Sequence, residues 1–400
     1  MGLSVLPLSY CTNVHPGRSL AEVNGGLDQF TAPLRVNYGA DLAAGLWLAA
    51  PVVAELVSEP SAVERFADGL GQRGLSCHTL NAFPYGDFHS RRVKENVYLP
   101  DWSAGKRQTY TRDCARILAA LLPAAGEGSI STVPLAFKGF EHPADHLQKC
   151  VAQLIQTARD FHAIHEETGK LIRLAIEPEP LCLLETTDEA VVFFEYLRKC
   201  ADAEGAGDIV REHIGLCFDV CHQAVEFEDI PESIRKLTAA GIRINKLHIT
   251  CALELECPGD HPDARQTLAQ YVEERYLHQT LARVPGGHIV RETDLTSQLA
   301  LHPPREFLDA PAWRVHFHVP VHAERFGALR TTRRELRQAL VAVSQLAYAP
   351  HLEVETYTWE VLPGRSMQIS PQALVDGLTN EMLSTRELLQ QIQHADYPVG

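Results

Sequence analysis

The sequence predicts a closed α/β barrel, (β/α)8, carrying a long insertion after its seventh strand. Three observations point there. Short apolar runs alternate with amphipathic helical stretches from residue 3 to residue 358, the signature of repeated βα units. Four of those runs end in an acid or an imidazole: Glu177, Asp219, His248 and Glu355. No Gly-rich phosphate loop follows the first run, which disfavours an open doubly wound sheet.

Taken in order, residues 3–11 form an apolar strand opening into a polar loop that reaches His15. Residues 20–36 have helical periodicity, and 46–50 read as the second strand. A helix over 61–72 stops at Gly74, and the third strand, 75–81, exits through a polar loop reaching Asp101. The helix 109–122 ends at Pro123, before a fourth strand at 129–135. A helix over 144–167, stopped by Gly169, precedes the fifth strand, 171–177. Residues 187–204 are helical, 214–219 form the sixth strand, 231–240 a further helix and 244–250 the seventh strand. The alternation breaks over 251–312, where a helical stretch (264–283) and a Gly286-Gly287 turn precede polar extended chain with Arg291. This insertion is expected over the barrel mouth, narrowing it. Residues 313–322 read as a strand that puts His316 and His318, two apart, on one face. A helix over 332–348 and a strand over 351–358 complete one barrel domain covering 1–400.

Composition bounds the function. A 45% hydrophobic, 22% charged chain is ordinary globular material, and the net charge of −15 opposes a nucleic-acid backbone as partner. No run is long and apolar enough to span a membrane, and no basic segment leads into an apolar one as a signal peptide requires. The ten cysteines are scattered without zinc-finger spacing, several inside apolar runs, as reduced core thiols are in a cytoplasmic protein.

Carboxylates and an imidazole at the carboxyl ends of four strands form a ligand set for a divalent ion. Mixed oxygen and nitrogen donors suit Mn²⁺, Mg²⁺, Co²⁺ or Zn²⁺. Glu179 competes with Glu177, but the turn at Pro178 favours Glu177 as the last strand residue. Glu353 and Glu355 share a face, and Glu355 is nearer the mouth. Asn81, His15, Tyr85 and Trp359 are placed as mouth residues that would bond or stack on a sugar-like substrate. Lys138, Lys246 and Arg291 read better as surface charges than as anion ligands.

Ile176-Glu177-Pro178, Asp219-Val-Cys-His222, His248 and Glu355 resemble the xylose-isomerase-like TIM barrels. These include sugar and sugar-phosphate isomerases and epimerases and the AP-endonuclease family 2. The epimerase branch implies one metal on Glu177, Asp219, His248 and Glu355. It also implies the two glutamates as proton carriers beside a carbonyl, and His222 on the substrate. His316-x-His318 resembles the Asp-x-His element by which the endonuclease branch binds further metals, with His316 in place of aspartate. Over nearly the whole length the chain resembles the EboE proteins, in Leu-Ser-Tyr-Cys-Thr-Asn-Val-His15, Leu-Asn81-Ala-Phe-Pro-Tyr and Glu355-Thr-Tyr-Thr-Trp359. That resemblance implies a role in the traffic of secondary-metabolite precursors, alongside other proteins of the same cluster. Three functions are thus expected as alternatives: a metal-dependent isomerase or epimerase of a small molecule, a metal-dependent hydrolase or phosphodiesterase, and a non-catalytic metabolite carrier.

Overall fold

In the computed structural model, which describes residues 3, 6–364 and 369–395, eight parallel strands close on themselves. They are Leu8–Cys11, Leu42–Trp47, a third in two pieces (Leu75–Ser76 and Thr79–Asn81), Glu127–Thr132, Leu171–Ile176, Ile214–Asp219, Ile244–Ile249 and His351–Val354. The first strand pairs with both the second and the eighth, so no strand edge is left open. Helices cover the outside, which is why strands such as Ile214–Asp219 are buried along their whole length and read as continuous apolar runs. All ten cysteines are free thiols.

The structure moves several boundaries. The second strand starts at Leu42, and the apolar run at 46–50 straddles its end and the start of the helix Ala50–Ser58. The first helical stretch runs to Tyr38 through a wider π-turn at Leu27–Thr31. A final helix, Pro371–Ala395, completes the outer ring beyond the last expected strand.

The insertion after the seventh strand is an antiparallel sheet of six short strands. Their order is Ile289–Glu292, Thr280–Arg283, Ala312–Val315, Leu253–Glu256, Leu329–Thr331 and Arg325–Phe326, so the sheet runs past 312. The helix expected over 264–283 is confined to Pro262–Ala269, because Thr280–Arg283 pairs on both sides. The strand expected over 313–322 ends at Val315. Arg314 pairs within the sheet with Glu254 at 2.7 Å and pins the sheet to the barrel's helices through Glu335 at 2.5 Å and the Ala224 carbonyl at 2.8 Å.

Inside the barrel a polar layer closes the lumen. Lys246, read from the sequence as a surface charge, is fully buried here and pairs with Glu353 at 2.7 Å. Ser9 donates to the other Glu353 oxygen at 3.0 Å, and Lys246 Nζ reaches Ser131 Oγ at 3.2 Å. Gly45 faces this layer, and a Cβ there would collide with the Glu353 carboxylate. Burial raises the pKa of Glu353 and lowers that of Lys246, but their mutual attraction wins in both, holding the acid low and the amine high.

Candidate metal centre and active site

Immediately above that layer the strand ends converge. Glu177 follows the fifth strand, Asp219 ends the sixth, His248 lies in the seventh, and Glu355 follows the eighth. His248 Nδ1 stands 3.0 Å from Glu177 Oε1, 3.2 Å from Glu355 Oε2 and 3.4 Å from Asp219 Oδ2. Donors each about 2.1 Å from a common ion are themselves roughly 3.0–3.4 Å apart, so this is the spacing of ligand edges around one cation.

Neighbours set which atom of each side chain is offered. Asp219 Oδ1 caps the helix Val220–Val225 through the His222 N–H at 3.0 Å and accepts from Thr250 at 2.7 Å. That leaves Asp219 Oδ2, which is buried without a hydrogen-bond partner, as is Glu177 Oε2. Glu355 Oε1 accepts from the amides of Asn13 and Asn81, each at 2.7 Å, which turns Oε2 toward His248. The other His248 nitrogen, Nε2, faces Glu353 Oε1 at 3.3 Å.

Three buried carboxylates around one imidazole are strongly anionic. Burial pushes the carboxyls of Glu177 and Glu355 up, disfavouring their ionised forms. Burial also acts to lower the His248 pKa, but Cys217 and the two glutamates outweigh it and hold it well above the ordinary value. The set therefore seeks a positive charge at its centre. Two orphaned buried oxygens, with donors at ligand-edge spacing, fit a divalent ion.

Beside this cluster lie three imidazoles. His222 Nδ1 donates to the Pro178 carbonyl at 3.0 Å, and His318 Nδ1 donates to the Glu355 carbonyl at 3.0 Å. His316 Nδ1 lies 2.7 Å from Gln279 Oε1, whose amide nitrogen is occupied by Glu179 and the Pro180 carbonyl. All three rings thus turn Nε2 inward, with His222 Nε2 3.1 Å from that of His316 and 3.4 Å from that of His318. His316 and His318 lie beyond the strand end, yet both still face the cavity, while Phe317 between them packs on Tyr271 and His278.

The cavity above has about 500 Å³ of space not filled by protein atoms, part of it open to solvent. Its lining combines polar groups (Glu177, Glu179, Glu355 and the histidines) with apolar ones, Phe83, Phe88, Leu277 and Tyr357. Tyr276 and Leu277 come from the insertion. Glu179, with Tyr98 donating to it at 2.6 Å, is pushed up to about 8 by burial, aided by the Glu177 charge. Lys94 is the one cation among the described lining residues. Its amine is taken by Asp294 at 2.6 Å and by the Tyr276 and Glu273 carbonyls at 2.6 and 2.9 Å.

Several expected mouth residues are elsewhere. His15 is 3% exposed, stacks on Phe30 at 4.2 Å and meets the Tyr10 hydroxyl at 2.9 Å, because the turn Thr12–Val14 presents Asn13 to the site in its place. Trp359 lies beneath the C-terminal helix, donating to Glu381 at 2.8 Å, so it offers no stacking face to the cavity. Tyr85 packs edge-on against Tyr110. Arg291 pairs with Glu226 at 2.7 Å. Asn13, Tyr98, Gln279 and Tyr357 are site residues that the reading of strand ends passed over. Only Asn13 carried a signal, as a polar residue two positions past an apolar strand.

No family model matches the chain, and no curated protein matches its sequence. Solved structures do match, and they share this fold. An L-ribulose 3-epimerase superposes over 97% of this chain and 96% of its own, with a TM-score of 0.51 at 13% identity. A xylose isomerase-like TIM barrel protein from Mycobacterium smegmatis, in complex with magnesium, superposes over 99% of both chains with a TM-score of 0.53 at 12% identity. The chain is therefore an α/β barrel of the xylose-isomerase-like fold.

Proposed function

We propose that this protein is a metal-dependent isomerase or epimerase of a small hydroxy-carbonyl compound. The observation that carries the reading is the convergence of Glu177, Asp219 and Glu355 on His248 Nδ1 at 3.0–3.4 Å, with buried oxygens left unpartnered. A divalent ion bound there would hold two adjacent substrate oxygens and lower the barrier to losing the proton on the carbon beside the carbonyl. Glu177 and Glu355, from strands on different sides of the barrel, would take and return that proton. His222 and Glu179 would bond substrate oxygens, and Asn13 and Asn81 would hold Glu355 in orientation. The fold shared with an L-ribulose 3-epimerase is consistent with this chemistry.

The lining favours a neutral polyol end joined to an apolar group. Phosphate is disfavoured, since Lys94 is fully engaged within the protein. The inserted segment supplies Tyr276 and Leu277 to the lining, and we assign it the role of narrowing the mouth. A place in the processing or traffic of a secondary-metabolite precursor is supported by the sequence resemblance alone.

The test is deuterium exchange from solvent into hydroxy-carbonyl candidates, with metal content measured in parallel. Wild type should exchange the proton next to the carbonyl, and Glu177→Gln should lower the rate by about 10²–10⁴-fold, the range for general acid–base groups. Bound metal without exchange on any candidate would favour the carrier.

One observation favours a second reading, hydrolysis. The three inward Nε2 atoms, with Asp219 at 4.0 Å from His318 Nε2, could hold a second ion at roughly the 3.5–4 Å spacing of two-metal hydrolytic sites. A His318→Ala chain that binds one ion fewer than wild type supports hydrolysis, and unchanged stoichiometry supports proton transfer.

A further inference from the structure

A second group of donors meets at the opposite end of the barrel. The helix His146–Thr168 carries His162 and His165, three apart and therefore on one face. The helix Gly207–His213, packed against it, ends in Glu212 and His213. His213 is fully buried, and its Nδ1 donates to the Ile172 carbonyl at 2.8 Å, so the neutral ring keeps a lone pair on Nε2. That atom lies 3.5 Å from Glu212 Oε2, and the same oxygen lies 4.0 Å from His162 Nδ1. His165 is nearby, its ring centroid 6.4 Å from that of His213.

Three nitrogens here are buried without hydrogen-bond partners: His162 Nδ1, His165 Nδ1 and His213 Nε2. A lone pair of a neutral imidazole facing a carboxylate oxygen is repulsive unless a cation stands between them. Both helices also turn their carboxyl-terminal, negative ends to this point, since His165 and His213 lie in their last turns.

We propose that His162, His213 and Glu212, with His165 as a fourth donor, bind a zinc-class divalent cation that staples these two helices together. Donors on tetrahedral zinc stand about 3.3–3.4 Å apart, so the present 3.5 and 4.0 Å need to close by about 0.1–0.7 Å, and the ligand atoms of His162, Glu212 and His213 all lie within 4.8 Å of one another. Imidazole outnumbering carboxylate selects zinc over magnesium or calcium. The ion has access from solvent, since the His162 and Glu212 side chains are 37% and 45% exposed. The site is independent of the barrel mouth: His213 precedes the sixth strand and Asp219 ends it, about 20 Å away at the usual rise per strand residue.

The experiment is zinc titration of the metal-stripped full chain against a chromogenic chelator. His162→Ala/His165→Ala, at half-exposed positions, should bind one zinc fewer than wild type while unfolding normally without zinc. Equal stoichiometry would overturn the proposal. Repeating the titration in Asp219→Asn/His222→Ala/Glu355→Gln, which removes donors from both the carboxylate cluster and the three imidazoles at the mouth, separates the two ends. One zinc should remain there, and none remaining would also overturn it. Glu212→Gln should weaken the remaining zinc at least tenfold, whereas undiminished affinity would remove Glu212 from the ligand set.

Discussion

Lys246 and Glu353 show how much hangs on single groups in this lumen. Each is fully buried, and each neutralises the other at 2.7 Å. Lys246→Met leaves a carboxylate buried without its cation, which should cost about 3–5 kcal/mol in denaturant unfolding. Lys246→Met/Glu353→Met removes both charges and should recover part of that loss. A double variant no more stable than the single would mean that packing dominates the pair. One layer up, Asn13 and Asn81 fix the Glu355 carboxylate, and orienting groups of this kind are typically worth 10–100-fold in metal affinity. Asn13→Ala/Asn81→Ala should show that loss by isothermal titration with manganese, while unchanged affinity would leave Glu355 oriented by other contacts. Glu177, Asp219, His248 and Glu355 were legible because each stands at the end of an apolar run, where a closed barrel must bring side chains together. His15 and Trp359 were misread because their directions depend on a three-residue turn and on a helix that the strand-by-strand reading did not include.

The inserted sheet marks the limit of periodicity as a guide. Its strands are two to four residues long, shorter than the runs needed to separate a period of 2 from one of 3.6. Residues 264–283 held enough apolar positions to read as one helix, although the chain leaves the helix at Ala269 and enters a strand at Thr280. The barrel strands escaped this ambiguity because both their faces are covered. Arg314 ties the sheet to the helix Arg333–Ser344 through Glu335 and to its own neighbour strand through Glu254. Arg314→Met should therefore loosen the insertion before the barrel. Hydrogen exchange should rise over 253–331 while the eight barrel strands stay protected. Equal acceleration in both would show that insertion and barrel unfold as one unit.

For the molecule as a whole, a cation bound at the mouth as proposed should act as a folding ligand, since Glu177, Asp219, His248 and Glu355 come from the ends of four different strands. At 100 times its dissociation constant, an ion binding only the folded state adds about 2.7 kcal/mol. Manganese suits this test, because the oxygen-rich mouth should prefer it and the imidazole cluster at the far end should not. Thermal unfolding should shift upward with manganese in wild type and stay put in Asp219→Asn. An equal shift in both would place the stabilising ion elsewhere. The buried ion pair beneath the acid cluster has one more consequence. Lys246, Glu353, Ser9 and Ser131, linked to one another and buried, fill the lumen beneath the cavity. Under the proposed function, a product would leave by the opening through which the next substrate enters, from a cavity lined by Tyr276, Leu277 and Tyr357 among others. Arrival and departure would then share one lane.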